Sequence, residues 1–195
     1  MKKTLYPKTP RVWVSATIIT EKLDGSNLWI FKINWKLLIA QRNNCFYIDE
    51  LEWETLYKWL AWWLKDNESK LDLCEWSGVF WEWIWMWCID YENKLDKKFY
   101  IFAKANIDEN LEVRNIIYRL DLLVFPFLSQ TIPDCIWVVP VVDIQPNATI
   151  KILDELYEIY SEKVWRKVEW FIINNNNVIK KYVRHKDGKA SEHIS

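Results

Sequence analysis

The chain has 195 residues, 51% hydrophobic and 27% charged, enough apolar material for one globular domain with a sizeable core. A formal net charge of −1 excludes a global field for nucleic acid, so any such site must be a local cluster of Lys and Arg. No run of about eighteen apolar residues lacks a charge or a proline, so no transmembrane helix is expected, and Met1-Lys2-Lys3-Thr4-Leu5-Tyr6-Pro7 lacks the apolar core of a signal peptide. The cysteines at 45, 74, 88 and 135 have no metal-ligand spacing and are expected to be reduced thiols in a cytoplasmic protein.

Alternating and β-branched runs predict strands over Ala16–Thr20, Leu28–Ile33 and Lys36–Gln41, the last two joined as a hairpin at Asn34-Trp35. Asp49–Lys65 carries a helical pattern with Asp49 as its N-cap. Strands are expected near Val79–Ile89 and Lys98–Ala103, and a second helix over Glu109–Leu122. Ser129–Pro146 reads as irregular, with a short strand around Trp137–Val142. In Thr149–Lys163 the side chains of Ile150, Leu153, Leu156, Tyr157 and Tyr160 form one apolar helical stripe. Two final strands, Val168–Ile173 and Val178–Arg184, flank a turn at Asn174–Asn177. Helices and strands mix without strict alternation, which predicts an α+β fold with mostly antiparallel sheets. No repeat or linker interrupts the chain, so one domain over 1–195 is expected. The tail after Arg184 is too short for a separate C-terminal domain.

Several short motifs carry chemistry. Glu21-Lys22-Leu23-Asp24-Gly25 contains K-x-D-G between two strands. Gln41-Arg42-Asn43, Val79-Phe80-Trp81-Glu82-Trp83, Lys98-Phe99-Tyr100-Ile101-Phe102, Glu169-Trp170-Phe171-Ile172 and Val178-Ile179-Lys180-Lys181-Tyr182 follow in order. An amine that attacks a phosphate must be deprotonated, whereas free lysine titrates at about 10.4. A neighbouring cation and a partly desolvated cleft favour the neutral amine, and the same cation would stabilise charge on a phosphate. Glu82 and Glu169 offer oxygen ligands, Phe102 a π-face, and Arg42 a fork of donors.

As a set, these elements resemble the nucleotidyltransferase domain of ATP-dependent RNA ligases, in the superfamily of DNA ligases and messenger-RNA capping enzymes. The resemblance runs from Lys22 to Arg184. It implies two antiparallel sheets with flanking helices around a nucleotide-binding cleft. It implies Lys22 as the residue that takes AMP from ATP, with Lys180 and Lys181 as catalytic cations. Glu21, Asp24, Gly25, Arg42, Glu82 and Phe102 would bind the nucleotide, and Glu169 would hold Mg²⁺ or Mn²⁺. The partner it implies is RNA with a 5′-phosphate and a 3′-hydroxyl end, sealed in a repair reaction. The alternatives within reach are an inactive or partner-dependent nucleic-acid-binding module of the same fold, and a DNA ligase or capping-type nucleotidyltransferase.

One count is abnormal: 15 Trp against 3 Gly. Ordinary usage of about 7% would give roughly fourteen glycines in a chain this long. At Trp81 and Trp170 the resembling motifs have glycine, and Trp35, Trp76, Trp85 and Trp87 fit the same pattern. A single cause would cover both counts: UGA codons that mean glycine in the source organism, read as tryptophan; the alternative is a genuinely aromatic-rich chain that binds single-stranded nucleic acid by stacking. Indole beside Glu82 or Glu169 is then expected to intrude where backbone should approach a nucleotide closely.

Overall fold

A computed structural model of the chain describes residues 18–41, 44–50, 58–71, 73–84, 89–95, 98–118, 137–145, 148–175 and 178–183. Within them the strands, in chain order, are β1 (Ile18–Lys22), β2 (Ser26–Ile33), β3 (Lys36–Ala40), β4 (Cys45–Tyr47), β5 (Ser77–Trp83) and β6 (Phe99–Ile107). They continue as β7 (Val113–Ile117), β8 (Trp137–Val138), β9 (Val141–Asp143), β10 (Trp170–Asn175) and β11 (Val178–Tyr182). The helices are α1 (Lys58–Asn67) and α2 (Ile150–Val164). The fold is α+β with two sheets whose pairings are antiparallel except for β8, which runs parallel to β6. No helix among the described residues is long and apolar enough to cross a membrane.

Contacts divide the described residues into two compact units, one drawn from those within 26–83 and 98–138, the other from those within 18–25, 84–95 and 139–183. In the first unit the sheet runs β4-β3-β2-β5-β6-β7. Side chains alternate across it. Leu28, Ile30, Val79 and Trp81 pack with Leu60 and Leu64 of α1 on one face. Trp29, Phe31, Phe80 and Ala103 form a second cluster on the other. Each such buried side chain contributes about 1.5–3 kcal/mol.

The smaller sheet of the second unit runs β11-β10-β1-β9. Thr149 caps α2 by accepting the Ile152 N–H at 3.3 Å. Leu153 and Tyr160 of α2 pack on Ile19, Phe171, Ile173 and Tyr182. The apolar stripe expected over Thr149–Lys163 is therefore the face that covers this sheet.

The helix expected over Glu109–Leu122 is not found in the described residues of that segment, 109–118, which turn into β7; 119–122 lie outside the described set. The Asp108 carboxylate accepts the N–H groups of Asn110 and Glu112, both at 2.9 Å, and pairs with Arg114. These local bonds offer the backbone a tight turn, which Leu111 completes at φ 59°, and the chain then pairs with β6. The expected helix from Asp49 is described as a short 3-10 turn at Ile48–Glu50 and as α1; residues 51–57 lie outside the described set, as do 85–88, 129–136 and the tip of the 174–177 turn.

Among the described residues three tryptophans hold left-handed backbone: Trp35 at φ 64°, Trp76 at φ 60° and Trp165 at φ 52°. Asn34 and Trp35 are the two residues between β2 and β3, both with positive φ, the conformation for which Asn-Gly is preferred. Trp165 is the αL residue that ends α2, the position where helices most often place glycine. Two of the three, Trp35 and Trp76, belong to the set suspected from sequence. Trp165 is outside that set, since none of the quoted motifs covers it. A side chain with a Cβ is strained in this region by roughly 1–2 kcal/mol. Trp35→Gly, Trp76→Gly and Trp165→Gly are each expected to stabilise the chain by about 1 kcal/mol, some 2–4 °C in midpoint, read by thermal unfolding. UGA codons are expected at these positions; UGG at all three would remove the recoding explanation.

Candidate active site

Lys22 is the last residue of β1, and β1 pairs with β10 so that Lys22 lies opposite Trp170. Lys22 Nζ forms an ion pair with Glu169 Oε2, both side chains about three-quarters or more buried at 26% and 18% exposure. Burial pushes the Glu169 carboxyl above its ordinary value of 4.5, and the Lys22 ammonium beside it pulls the other way. The loop after Lys22 is tied down from both sides. The Asp24 N–H donates to the Tyr91 hydroxyl at 2.6 Å, and Asp24 Oδ2 accepts the Ile89 N–H at 2.8 Å.

Residues directly opposite one another in adjacent strands share a face. Lys181 lies opposite Ile172, and Ile172 opposite Thr20, so Lys181, Thr20 and Lys22 are on one face of the sheet. Lys180 lies opposite Ile173, which lies opposite Ile19, and those two pack with α2. Tyr182, two residues on, donates its hydroxyl to Asp154 of α2. The two lysines therefore part: Lys181 joins the Lys22 face, and Lys180 is buried on the helix side. There burial alone lowers the ammonium's pKa from 10.5.

Glu21 is also on the helix side. Its carboxylate, 0% exposed, is held by the guanidinium of Arg166 through both oxygens and by the Tyr160 hydroxyl at 2.9 Å. Gly25 is half-buried at the end of the same loop.

Glu82 and Phe102 are placed by the other unit. Glu82 lies opposite Asn27 and Tyr100, and Phe102 is two residues beyond Tyr100, so both are on the face that carries Trp29 and Phe80. The Phe102 ring is 6.0 Å from that of Phe80. Arg42 lies outside the described residues. Trp81 corrects an expectation: its indole does not lie on the Glu82 face. It points to the α1 side, fully buried, edge-on to Trp63 at 5.8 Å and to Phe99 at 5.1 Å. Trp170 does lie beside Lys22, its cross-strand partner.

Sequence reasoning missed Arg166, Tyr160 and Tyr91. Tyr160 was legible only as an apolar stripe member, since periodicity does not reveal where a phenol oxygen ends up. Arg166 follows the helix and is three residues before Glu169, a spacing that carries no motif.

A family model described as RNA ligase matches residues 15–183, and the chain belongs to that family. It is thus an enzyme of the ligase class whose substrate is RNA. No curated protein matches it.

The burial of Lys180 has a definite pH signature. The folded state binds its proton less tightly than the unfolded state does, so its cost to stability is full at neutral pH and fades as pH rises through the lowered pKa toward 10.5. Lys180→Met is expected to raise the thermal midpoint at pH 7, with a gain that shrinks steadily in buffers up to pH 10.5. A gain independent of pH would show that the ammonium's desolvation is not its source.

Proposed function

We propose that the chain is an ATP-dependent RNA ligase that forms a covalent lysyl-AMP at Lys22, transfers AMP to a 5′-phosphate RNA end and seals that end to a 3′-hydroxyl. The observation that carries this reading is the Lys22–Glu169 pair at the end of β1, with Lys181 on the same face and the adjoining loop fixed through Asp24.

The first step forms a bond from Lys22 Nζ to the α-phosphorus of ATP and breaks the bond from that phosphorus to the oxygen of the leaving pyrophosphate. Nζ gives up a proton and must leave Glu169 Oε2 before it attacks. Lys181 would offset the charge gathering on the phosphate. Glu82 would accept hydrogen bonds from ribose hydroxyls, and Phe102 would offer a ring face to adenine. In the second step the 5′-phosphate oxygen of RNA displaces Lys22 from the AMP phosphorus. In the third, a 3′-hydroxyl attacks that 5′-phosphate and AMP leaves.

Mg²⁺ or Mn²⁺ fits the donor set. No three His, Cys, Asp or Glu side chains gather into a metal site among the described residues. A hard cation that keeps most of its waters needs only one or two carboxylates plus substrate phosphates, and Glu169 supplies one. When bound, such an ion supplies charge neutralisation at the phosphates.

With α-labelled ATP and Mg²⁺ or Mn²⁺, the chain with glycine at 35, 76, 81, 85, 87 and 170 is expected to take one covalent label, and its Lys22→Ala variant none. A folded parent that takes no label would overturn the reading; label from GTP in place of ATP would redirect it to capping-type chemistry. Among the six changes, Trp170→Gly is expected to matter most to the labelling rate, because Trp170 is the cross-strand neighbour of Lys22. Restoring Trp at 170 alone is expected to lower that rate at least about tenfold, whereas restoring it at 35 alone should leave the rate within about twofold.

A further inference from the structure

We propose that Arg166 and Tyr91 are positioning residues that hold Lys22 at the geometry of attack. The inference rests on Lys22 as the AMP acceptor. One guanidinium reaches the residues on both sides of the nucleophile. On the N-terminal side it grips Glu21, the residue before Lys22, with Nη1 on Oε1 and Nη2 on Oε2 at 2.6 Å. On the C-terminal side it lies over the Tyr91 ring, 5.3 Å from its centre, and the Tyr91 hydroxyl accepts the Asp24 N–H. Burial keeps that hydroxyl protonated, so it holds Asp24 as a neutral acceptor. Arg166 is also three residues before Glu169, the carboxylate that pairs with Lys22. The strand end, the loop after it and the segment bearing Glu169 are thereby referred to one rigid, planar side chain.

The energetics point to geometry rather than stability as the reason for this device. The Arg166 and Glu21 side chains are 5% and 0% exposed. A buried ion pair recovers its desolvation cost only when its geometry is good, and apolar replacements of both partners are often neutral or stabilising. A fork on a carboxylate fixes orientation in a way that apolar packing does not. A displacement of about 1 Å at a nucleophile can cost on the order of 100-fold in rate.

The test compares the full glycine-restored chain with two variants, by single-turnover lysyl-AMP formation over a range of labelled ATP, with the active fraction titrated by label incorporated at completion. Glu21→Leu/Arg166→Met removes both charges together and so avoids an orphaned buried ion. Its rate per active site at saturating ATP is expected to fall about 100-fold, with the half-saturating ATP concentration changed less than about threefold. Tyr91→Phe keeps the ring under the guanidinium and removes only the acceptor for Asp24; its rate is expected to fall about fivefold, the fold-change one hydrogen bond carries. Should the double variant fail to unfold cooperatively, Tyr91→Phe decides the matter alone. A labelled parent whose folded variants label at its own rate per active site overturns this inference and leaves the proposed function standing. A smaller active fraction with an unchanged rate does the same, because that is the signature of a purely structural role. A parent that takes no label overturns the proposed function and this inference with it.

Discussion

Five residue pairs join β1 to β10, from Ile18 opposite Asn174 to Lys22 opposite Trp170, and nearly everything around Lys22 follows from that register. Because the pairing ends at Lys22 and Trp170, Glu169 stands at the mouth of the ladder, where its carboxylate can turn to meet Nζ. The side-chain period of two then sorts β1 between environments. Ile19 and Glu21 go to α2, whereas Thr20 and Lys22 go to the opposite face. A slip of one residue would exchange them, sending Lys22 beneath the helix and leaving the Glu21 carboxylate without its partners. The apolar contacts of Ile19 with the α2 side therefore set the register that presents a lysine.

The same register separates Lys180 from Lys181. Sequence alone places two adjacent lysines on a strand and leaves open which one shares a face with Lys22. The cross-strand partners Ile173 and Ile172 resolve it, since each carries its lysine to its own side of β10. Lys180 on the helix side is an expensive choice for an ammonium, with no ion pair among the described residues to offset its burial. Glu21, on that same side, is matched by Arg166 and Tyr160. Two charged residues of one buried face thus meet opposite treatments.

Much of this was legible in the sequence, for physical reasons. The β2–β3 hairpin, α2 and the final strand pair announce themselves by periodicity, which burial of one face enforces. The fold class and family follow from ordered motifs. What was not legible depends on contacts between distant parts of the chain, or on local bonds that override a pattern. The Asp108 turn defeated a plausible helical spacing through four acceptor bonds, two from backbone N–H groups and two from Arg114. Arg166 and Tyr91 matter only because folding brings residues 75 apart in sequence together, and no spacing rule reaches that far.

The tryptophans separate on physical grounds that composition does not supply. Trp29 shows what a tryptophan in its own place looks like. Its ring stacks on Phe80 at 4.7 Å, and it sits against Gly78, where an added Cβ would come within 2.5 Å of the indole nitrogen. A glycine makes room for it. Its buried indole N–H nonetheless finds no acceptor, as is also true of Trp81, so an orphaned indole does not mark a misplaced residue. Backbone conformation discriminates better. Trp35, Trp76 and Trp165 occupy three different kinds of place, namely a hairpin turn, the approach to β5 and a helix end. All three demand the left-handed region, and the Trp35 and Trp165 side chains project into solvent at 79% and 80% exposure with little packing to offset the strain. Trp170 is suspect on the independent ground of a motif, and its position opposite Lys22 gives that motif a physical sense: a residue without a side chain there would leave the Lys22 face open, as the proposed function requires. Turn geometry and site geometry thus converge on one substitution, glycine for tryptophan, from observations that share no residues.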